Sequence, residues 1–201
     1  MKKLSGGCIA LIVIGAVFVI TLLWGVRTNN RMITAEEGVN GAWAQVENVY
    51  QRRMDLIPNL VNTVKGAADF ERGTLEAVID ARSKATSVQV DADNLSEENI
   101  AAFQKAQDGL STALSRLMVT VERYPELKAT QNFRDLQAQL EGTENRITVE
   151  RNKFNEVVKA YNTMIRKFPN SIIAGIGGFE KKGYFKASEG ADKAPEVNFE
   201  F

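Results

Sequence analysis

The sequence predicts an all-α protein with three parts: an N-terminal transmembrane helix, an elongated antiparallel four-helix bundle with long helices, and an extended C-terminal tail. A charge-free apolar run near the N-terminus predicts the first part. Apolar residues that recur every three or four positions, without strand-like alternation, predict the second. The boundaries that follow are a short stub at 1–7, the transmembrane helix at 8–26, the bundle at 34–168 and the extended tail at 169–201.

The apolar run between Lys3 and Arg27 contains 23 residues and no charge. A helix that crosses a bilayer needs about 20 apolar residues, whereas the apolar part of a cleaved signal peptide usually has about 7 to 15. Trp24 stands near the end of the run, where aromatic residues favour the membrane interface. We therefore interpret residues 8–26 as a single uncleaved span that contacts the lipid bilayer. A signal peptide and a lipoprotein signal around Cys8 are the alternatives.

Basic residues flank the span on both sides. Lys2 and Lys3 precede it, and Arg27 and Arg31 follow it. The positive-inside rule therefore favours a cytoplasmic N-terminus by only a small margin. With that orientation the C-terminal bundle lies on the non-cytoplasmic side of the membrane.

Composition excludes several classes of function. Lysine plus arginine and aspartate plus glutamate both number 25, so no net positive field attracts nucleic acid. The chain has no histidine and one cysteine, Cys8, which excludes Cys/His zinc frameworks, Ser-His-Asp triads and Cys-His dyads. A carboxylate metal site in a bundle usually includes a Glu-x-x-His element, which is absent as well. We expect no catalytic residue, no metal ligand, no cofactor and no nucleic-acid partner.

The first two bundle helices differ in the strength of their patterns. Thr34 and Glu37 fit a capping box, which predicts that the first bundle helix begins there. The second helix, at 70–88, has a weaker apolar face. The apolar positions of the first helix recur every three, four or seven residues: Val39, Trp43, Val46, Tyr50, Ile57, Val61 and Val64.

The third and fourth helices have clearer signals. Ser96 is placed to cap the third helix, whose apolar pattern only Gln107 interrupts, and Pro125 ends it. The fourth helix carries a seam of residues seven positions apart, as required for packing along near-parallel neighbours. The seam consists of Phe133, Leu140, Ile147, Phe154, Tyr161 and Phe168.

Pro58 interrupts the first helix between Asp55 and Asn59. Proline has no N–H, so the carbonyl of Met54 loses its helical partner. Nearby polar side chains are candidates to satisfy the freed groups: Asp55, Asn59 and Asn62. Either the segment is a structural kink with polar repair, or it is an exposed polar notch, flanked by Arg52 and Arg53, that a partner recognises.

The stretch "AWAQVENVYQRRMDLIPNLVNTVKGAADFE" at 42–71 resembles the central signature of the LemA family. Further blocks match in order, so that the resemblance covers about residues 30–199; one departure is Phe70, where many members have a histidine. The signature residues that we take as structural or partner-binding are Trp43, Arg53, Asp55, Pro58, Asn59 and Asn62. The later blocks are "ARSKA", "YPELKA", "LEGTENRI", "FNEVVKAYNTMI" and "FPNSIIAGIGGFEKKGYF".

The resemblance implies a bacterial protein with one N-terminal span and an antiparallel helical bundle. It implies no defined activity. The expected location is therefore the bacterial cytoplasmic (inner) membrane, as a single-pass protein.

The tail carries too many aromatic and apolar residues to remain undocked. It lies either along its own bundle or on a neighbouring copy as an extended strap, which would make the protein a homo-oligomer. The residues expected to dock are Phe179, Tyr184, Phe185, Val197 and Phe199.

Three classes of function follow from these patterns. The first is a non-catalytic, self-associating scaffold of the cell envelope, in which anchoring in one plane raises the effective concentration. The alternative is an envelope adaptor that captures a protein partner or a small ligand through the polar notch around Pro58. An enzyme is disfavoured by the composition.

Overall fold

The computed structural model describes residues 6–66 and 70–187, and within these ranges the regular structure is helical, without strands. The prediction of an all-α helical bundle is confirmed. The elements are α1 (Gly6–Lys65), α2 (Arg72–Ser87), a 3₁₀ turn (Ala92–Asn94), α3 (Glu97–Val121), α4 (Pro125–Lys128), α5 (Gln131–Arg166) and α6 (Asn170–Gly177).

Helix α1 runs without a break from the apolar segment into the bundle, and its 60 residues span about 90 Å. The expected helix start at Thr34 is wrong, because the Thr34 hydroxyl donates to the Asn30 carbonyl oxygen one turn earlier instead of capping an N-terminus. Packing explains the continuity: Thr28 and Met32 are already buried on the side facing the bundle. The apolar segment is thus joined to the bundle by helix rather than by a flexible linker.

Helices α1, α2, α3 and α5 alternate in direction. Glu36 lies near Tyr161 and Arg53 near Glu144, so α1 and α5 are antiparallel. Helix α1 packs mainly along α5, and α2 along α3. The element order therefore gives an up-down-up-down bundle with short links.

Side chains cap the N-termini of α3 and α5. The cap of α3 is the one that the sequence predicted. The Ser96 hydroxyl accepts from the Asn99 N–H, and Thr130 does the same for Phe133 in α5. The seam predicted for the fourth helix is buried within α5, except for its last predicted residue, Phe168, which is 82% exposed. The expectation that Phe168 belongs to the core is wrong because α5 ends at Arg166 and the chain reverses at Pro169.

The chain after Pro169 is not extended from its start, contrary to the boundary drawn from sequence. It first forms α6, which ends where Gly178 adopts a left-handed conformation at φ 72°. Residues 179–187, the strap, then run in an extended path back along the bundle. Val197 and Phe199 lie outside the described residues.

Candidate functional site: a polar layer, a clamped strap and a distal cleft

Pro58 lies inside α1, and the carbonyl that it leaves without a partner is satisfied from another helix. The Arg82 Nε of α2 donates to the Met54 carbonyl oxygen at 3.2 Å. The expected local repair is wrong: Asp55 accepts from Gln51 within α1. The gap in the helix ladder thus becomes a docking point for α2.

Arg53 lies at the centre of a polar layer that crosses the bundle. Its side chain is 1% exposed, and its guanidinium contacts α3 and α5 together. One terminal nitrogen donates to Ser111 Oγ at 2.8 Å and to Glu144 Oε1 at 2.6 Å. The other donates to Gln107 Oε1 at 2.5 Å. One side chain therefore holds three helices in register.

The polar layer divides the apolar core into two clusters. The cluster nearer the apolar segment surrounds Trp43, and the distal one includes Ile57 and Leu117. The pattern of α3 carried a signal for this layer, since Gln107 is the residue that interrupts its apolar periodicity. A buried arginine is costly without partners, so the layer favours one pairing of the helices over alternatives.

The signature residues divide into a buried and an exposed group. Trp43 is fully buried and packs edge-on against Phe103 and Phe154. Arg53 also points inward, so it does not flank an exposed notch as expected. The other four signature residues are exposed on one stretch of α1: Asp55, Pro58, Asn59 and Asn62.

Three carboxamide side chains hold the strap. Each one hydrogen-bonds both the backbone N–H and the backbone carbonyl of a single strap residue. Asn162 bonds the N–H and carbonyl of Lys182 at 3.0 and 2.9 Å. Asn155 does so for Phe185, at 2.9 Å for each bond. Gln104 completes the set on Lys186, at 3.0 Å for each bond. These bonds replace a strand partner for the extended segment.

An ion pair and an aromatic cluster add to this attachment. Lys182 is 8% exposed, and its Nζ lies 2.8 Å from Glu36 Oε1 of α1. Phe185 is buried against Trp43, Phe103 and Phe154. The described part of the tail therefore packs on its own bundle, and its Phe185 completes the core.

Gly183 allows the strap to approach α3. A Cβ at this position would lie 2.7 Å from the Glu97 Cα, closer than atoms pack. The Gly183 N–H donates to the Leu95 carbonyl at 2.8 Å. The close approach is thus fixed by a backbone hydrogen bond.

An open cleft of about 780 Å³ lies at the end of the bundle away from the apolar segment. Its lining includes Asn62 and Thr63 of α1, and Thr130 and Asn132 at the start of α5. Arg123 also lines it and pairs with Glu71 at 2.7 Å. Hydroxyls and carboxamides give this cleft donors and acceptors for a polar ligand. We call it the distal cleft.

Within residues 6–66 and 70–187, no group of three or more histidine, cysteine, aspartate or glutamate side chains is placed to hold a metal ion. Sequence reasoning did not identify the residues that hold the strap or Arg82. The strap clamps are asparagine and glutamine on otherwise ordinary helical faces, and only the long-range packing reveals their role.

These features define a class of protein: a four-helix bundle built directly on an apolar helix and closed by its own C-terminal strap. One described helix, α1, is long and apolar enough to cross a membrane, and its most apolar window is unburied. The model of the LemA family matches residues 42–199. The chain belongs to the LemA family.

Several named proteins are similar to the chain. Magnetosome protein MamQ 2 of Paramagnetospirillum magneticum is 27% identical over 192 residues, covering 87% of this chain and 70% of that protein. Magnetosome protein MamQ of Magnetospirillum gryphiswaldense is 27% identical over 194 residues, with the same shares. Protein LemA of Metamycoplasma hominis is 22% identical over 164 residues, covering 82% of this chain and 71% of that protein.

Proposed function

We propose that this protein is a non-catalytic, membrane-anchored adaptor that presents the distal cleft to a peptide segment of an envelope protein. The continuity of α1 carries this proposal, because one helix links the apolar segment to the cleft. The distance along α1 from Arg27 to Asn62 is about 50 Å at the helical rise. A bundle of this length acts as a rigid spacer between a membrane and the bound segment.

The chemistry of the cleft supports a peptide as its ligand. Carboxamides bind both backbone groups of an extended chain, as Asn155, Asn162 and Gln104 do on the strap. Asn62 of α1 and Asn132 of α5 place the same functional group in the lining of the distal cleft. An extended segment lying between them would find the same kind of donors and acceptors.

The self-associating scaffold is the second candidate. The form in which the tail packs on a neighbouring copy is less favoured. Phe185 is taken up within its own bundle, so a neighbouring copy would have to displace it. Of the predicted docking residues, Val197 and Phe199 lie outside the described residues, and this hypothesis would place them on a neighbouring copy.

Site-specific photocrosslinking in the cell tests the adaptor. A photoreactive residue replaces Asn62, with the exposed Glu141 on α5 as the matched position. We expect a discrete adduct to a second protein from position 62, none from 141, and loss of the adduct when Asn132→Ala is added. An adduct of twice the mass of the chain would support the scaffold, and no adduct from position 62 would contradict the adaptor.

The location is part of the same proposal. We place the protein in the bacterial cytoplasmic membrane as a single-pass protein with the bundle on the non-cytoplasmic side. Labelling of Val119→Cys in intact cells by a membrane-impermeant maleimide supports this orientation, and labelling only after lysis contradicts it.

A further inference from the structure

Helix α6 and the corner before it expose an apolar face next to the membrane-proximal part of α1. Phe168 is 82% exposed, Ile176 is 81% exposed, and Ile172 is exposed one turn before Ile176. The opposite face is occupied, since Ile173 packs against the core and Ala174 is buried in it. The exposed face is therefore a surface that the bundle leaves uncovered.

The level of this face along α1 is set by two contacts. Ile173 Cδ1 lies 3.5 Å from the position that a Cβ on Gly25 would take, and Asn29 Oδ1 lies 3.3 Å from the corresponding position at Gly177. Both pairs have the same offset in residue number, so α6 runs parallel to α1 in register. Ile172 is then level with Trp24, and Ile176 is level with Thr28.

This level coincides with the end of the apolar segment. Trp24 precedes Arg27, the first charged residue after the apolar run, by three residues, or about 4.5 Å of helix. Leu22 and Leu23, next to it, are exposed, as are the large apolar residues between Leu11 and Ile20. The exposed face of α6 is thus continuous with the surface that the span presents to lipid.

The charged residues around α6 are consistent with a position at the end of the apolar segment. No charged residue occurs from Phe168 to Phe179; Arg166 and Lys167 precede this run, and Glu180 and Lys181 follow it. Both Arg166 and Lys167 are exposed. An apolar face with exposed cations at its N-terminal border is compatible with a segment that lies in the interfacial layer of a bilayer.

We propose that the α5–α6 corner is a second membrane contact: Phe168 and Ile172 insert into the interfacial layer of the bilayer beside Trp24, and Ile176 lies at its outer edge. The proposal rests on the membrane anchoring proposed above. A second contact beside the span fixes the rotation and tilt of the bundle, which one helix alone leaves free.

Collision measurements on spin labels test the proposal in the full-length protein with Cys8→Ser, reconstituted into phosphatidylcholine–phosphatidylglycerol vesicles. Nitroxides are placed at Leu23→Cys, Ile172→Cys and Ile176→Cys. Val119→Cys is the matched control, because Val119 is an exposed apolar residue (72%) near the distal end of α3. Oxygen concentrates in lipid and a nickel chelate in water, so their collision ratio reports depth.

We expect the oxygen-to-nickel ratio at position 172 to approach that at 23 and to exceed that at 119 several-fold, with position 176 between them. Ratios at 172 and 176 equal to that at 119, with 23 in lipid, overturn the second contact alone. Water exposure at 23 with lipid exposure at 172 keeps the contact and overturns the proposed span. Water exposure at both positions overturns both. Spin–spin broadening at 172, with both collision partners excluded, assigns the face to a second copy and overturns the proposal.

Discussion

The guanidinium of Arg82 on α2 donates from Nε to the Met54 carbonyl oxygen, 3.2 Å away on α1. This carbonyl is free because Pro58, four residues later, has no N–H. The proline inside α1 and the arginine on α2 therefore act as a pair. The carbonyl that the proline frees becomes the acceptor of a tertiary hydrogen bond, and this bond positions α2.

A double-mutant cycle measures this coupling. Arg82→Met should destabilise the fold by about 2 kcal/mol, because it removes a charge-assisted hydrogen bond to the carbonyl that Pro58 leaves without its helical partner. With Pro58→Ala, the restored N–H bonds the Met54 carbonyl, so Arg82→Met should cost about 1 kcal/mol less. Denaturant titration checks this, with Lys84→Met on the same helix as control. Equal costs in both backgrounds would show that Arg82 and Pro58 act independently.

Arg53 and Arg52 are adjacent in sequence and opposite in environment. Arg53→Met should cost about 1–3 kcal/mol, because it leaves the buried Gln107 carboxamide oxygen and the Ser111 hydroxyl on α3 without their donor. The half-exposed Glu144 on α5 can be solvated by water and adds little to this cost. Arg52→Met changes an exposed side chain and should stay within about 0.5 kcal/mol. Urea unfolding of the two variants gives the comparison. A loss below about 1 kcal/mol for Arg53→Met would mean that the polar layer contributes little to stability.

Gly183 is required by the close approach of the strap to α3. In Gly183→Ala the new methyl group would meet backbone atoms of Glu97, so we expect a loss of about 1–3 kcal/mol and faster proteolysis of the tail. Gly142→Ala is the control: nothing lies within 4 Å of the added carbon, and its place within α5 predicts a gain of about 0.5–1 kcal/mol. Thermal melts and limited trypsin digestion distinguish them. A Gly183→Ala variant as stable as the parent would contradict the observed packing.

Asn162 holds both backbone groups of Lys182, a buried residue of the strap. Asn162→Ala leaves these groups without a partner, which costs about 2 kcal/mol locally. The Lys182 amide should then exchange its hydrogen about 30-fold faster. Hydrogen exchange detected by mass spectrometry measures this, with the exposed Asn152→Ala on α5 as control. Unchanged exchange at the strap would show that the carboxamide clamp does not hold it.

Tyr161 predicts a pH dependence. Burial raises the pKa of its phenol above the usual 10, and the nearby Glu36 carboxylate raises it further. Because the folded-state pKa exceeds the unfolded value, this contribution to stability is complete below pH 10 and is lost as the pH rises towards the folded-state pKa. Burial raises the pKa of Tyr50 as well, so absorbance of phenolate should show two tyrosines that ionise late or only on unfolding. Tyr161→Phe should remove one of them, and an unchanged count would contradict the assignment to Tyr161.

The sequence predicted the helices well because their signals are local. Ser96 caps α3 as expected, and the seven-residue seam of α5 is buried from Phe133 to Tyr161. Local signals failed where tertiary packing competes with them. Thr34 has the sequence of a cap, yet the helix passes through it, because Met32 is already packed in the bundle.

The contacts that join the elements required the tertiary structure. Pro58 indicated a defect, but the Met54 carbonyl that it frees is bonded by Arg82, 28 residues from Met54, which no local spacing reveals. The strap carried an aromatic signal through Phe185, but the carboxamides that hold it look like ordinary helical surface residues in the sequence. Apolar periodicity and caps are written in neighbouring residues and thus determine helices and the apolar segment. Hydrogen bonds between distant side chains depend on how the helices are arranged, and only the folded bundle decides them.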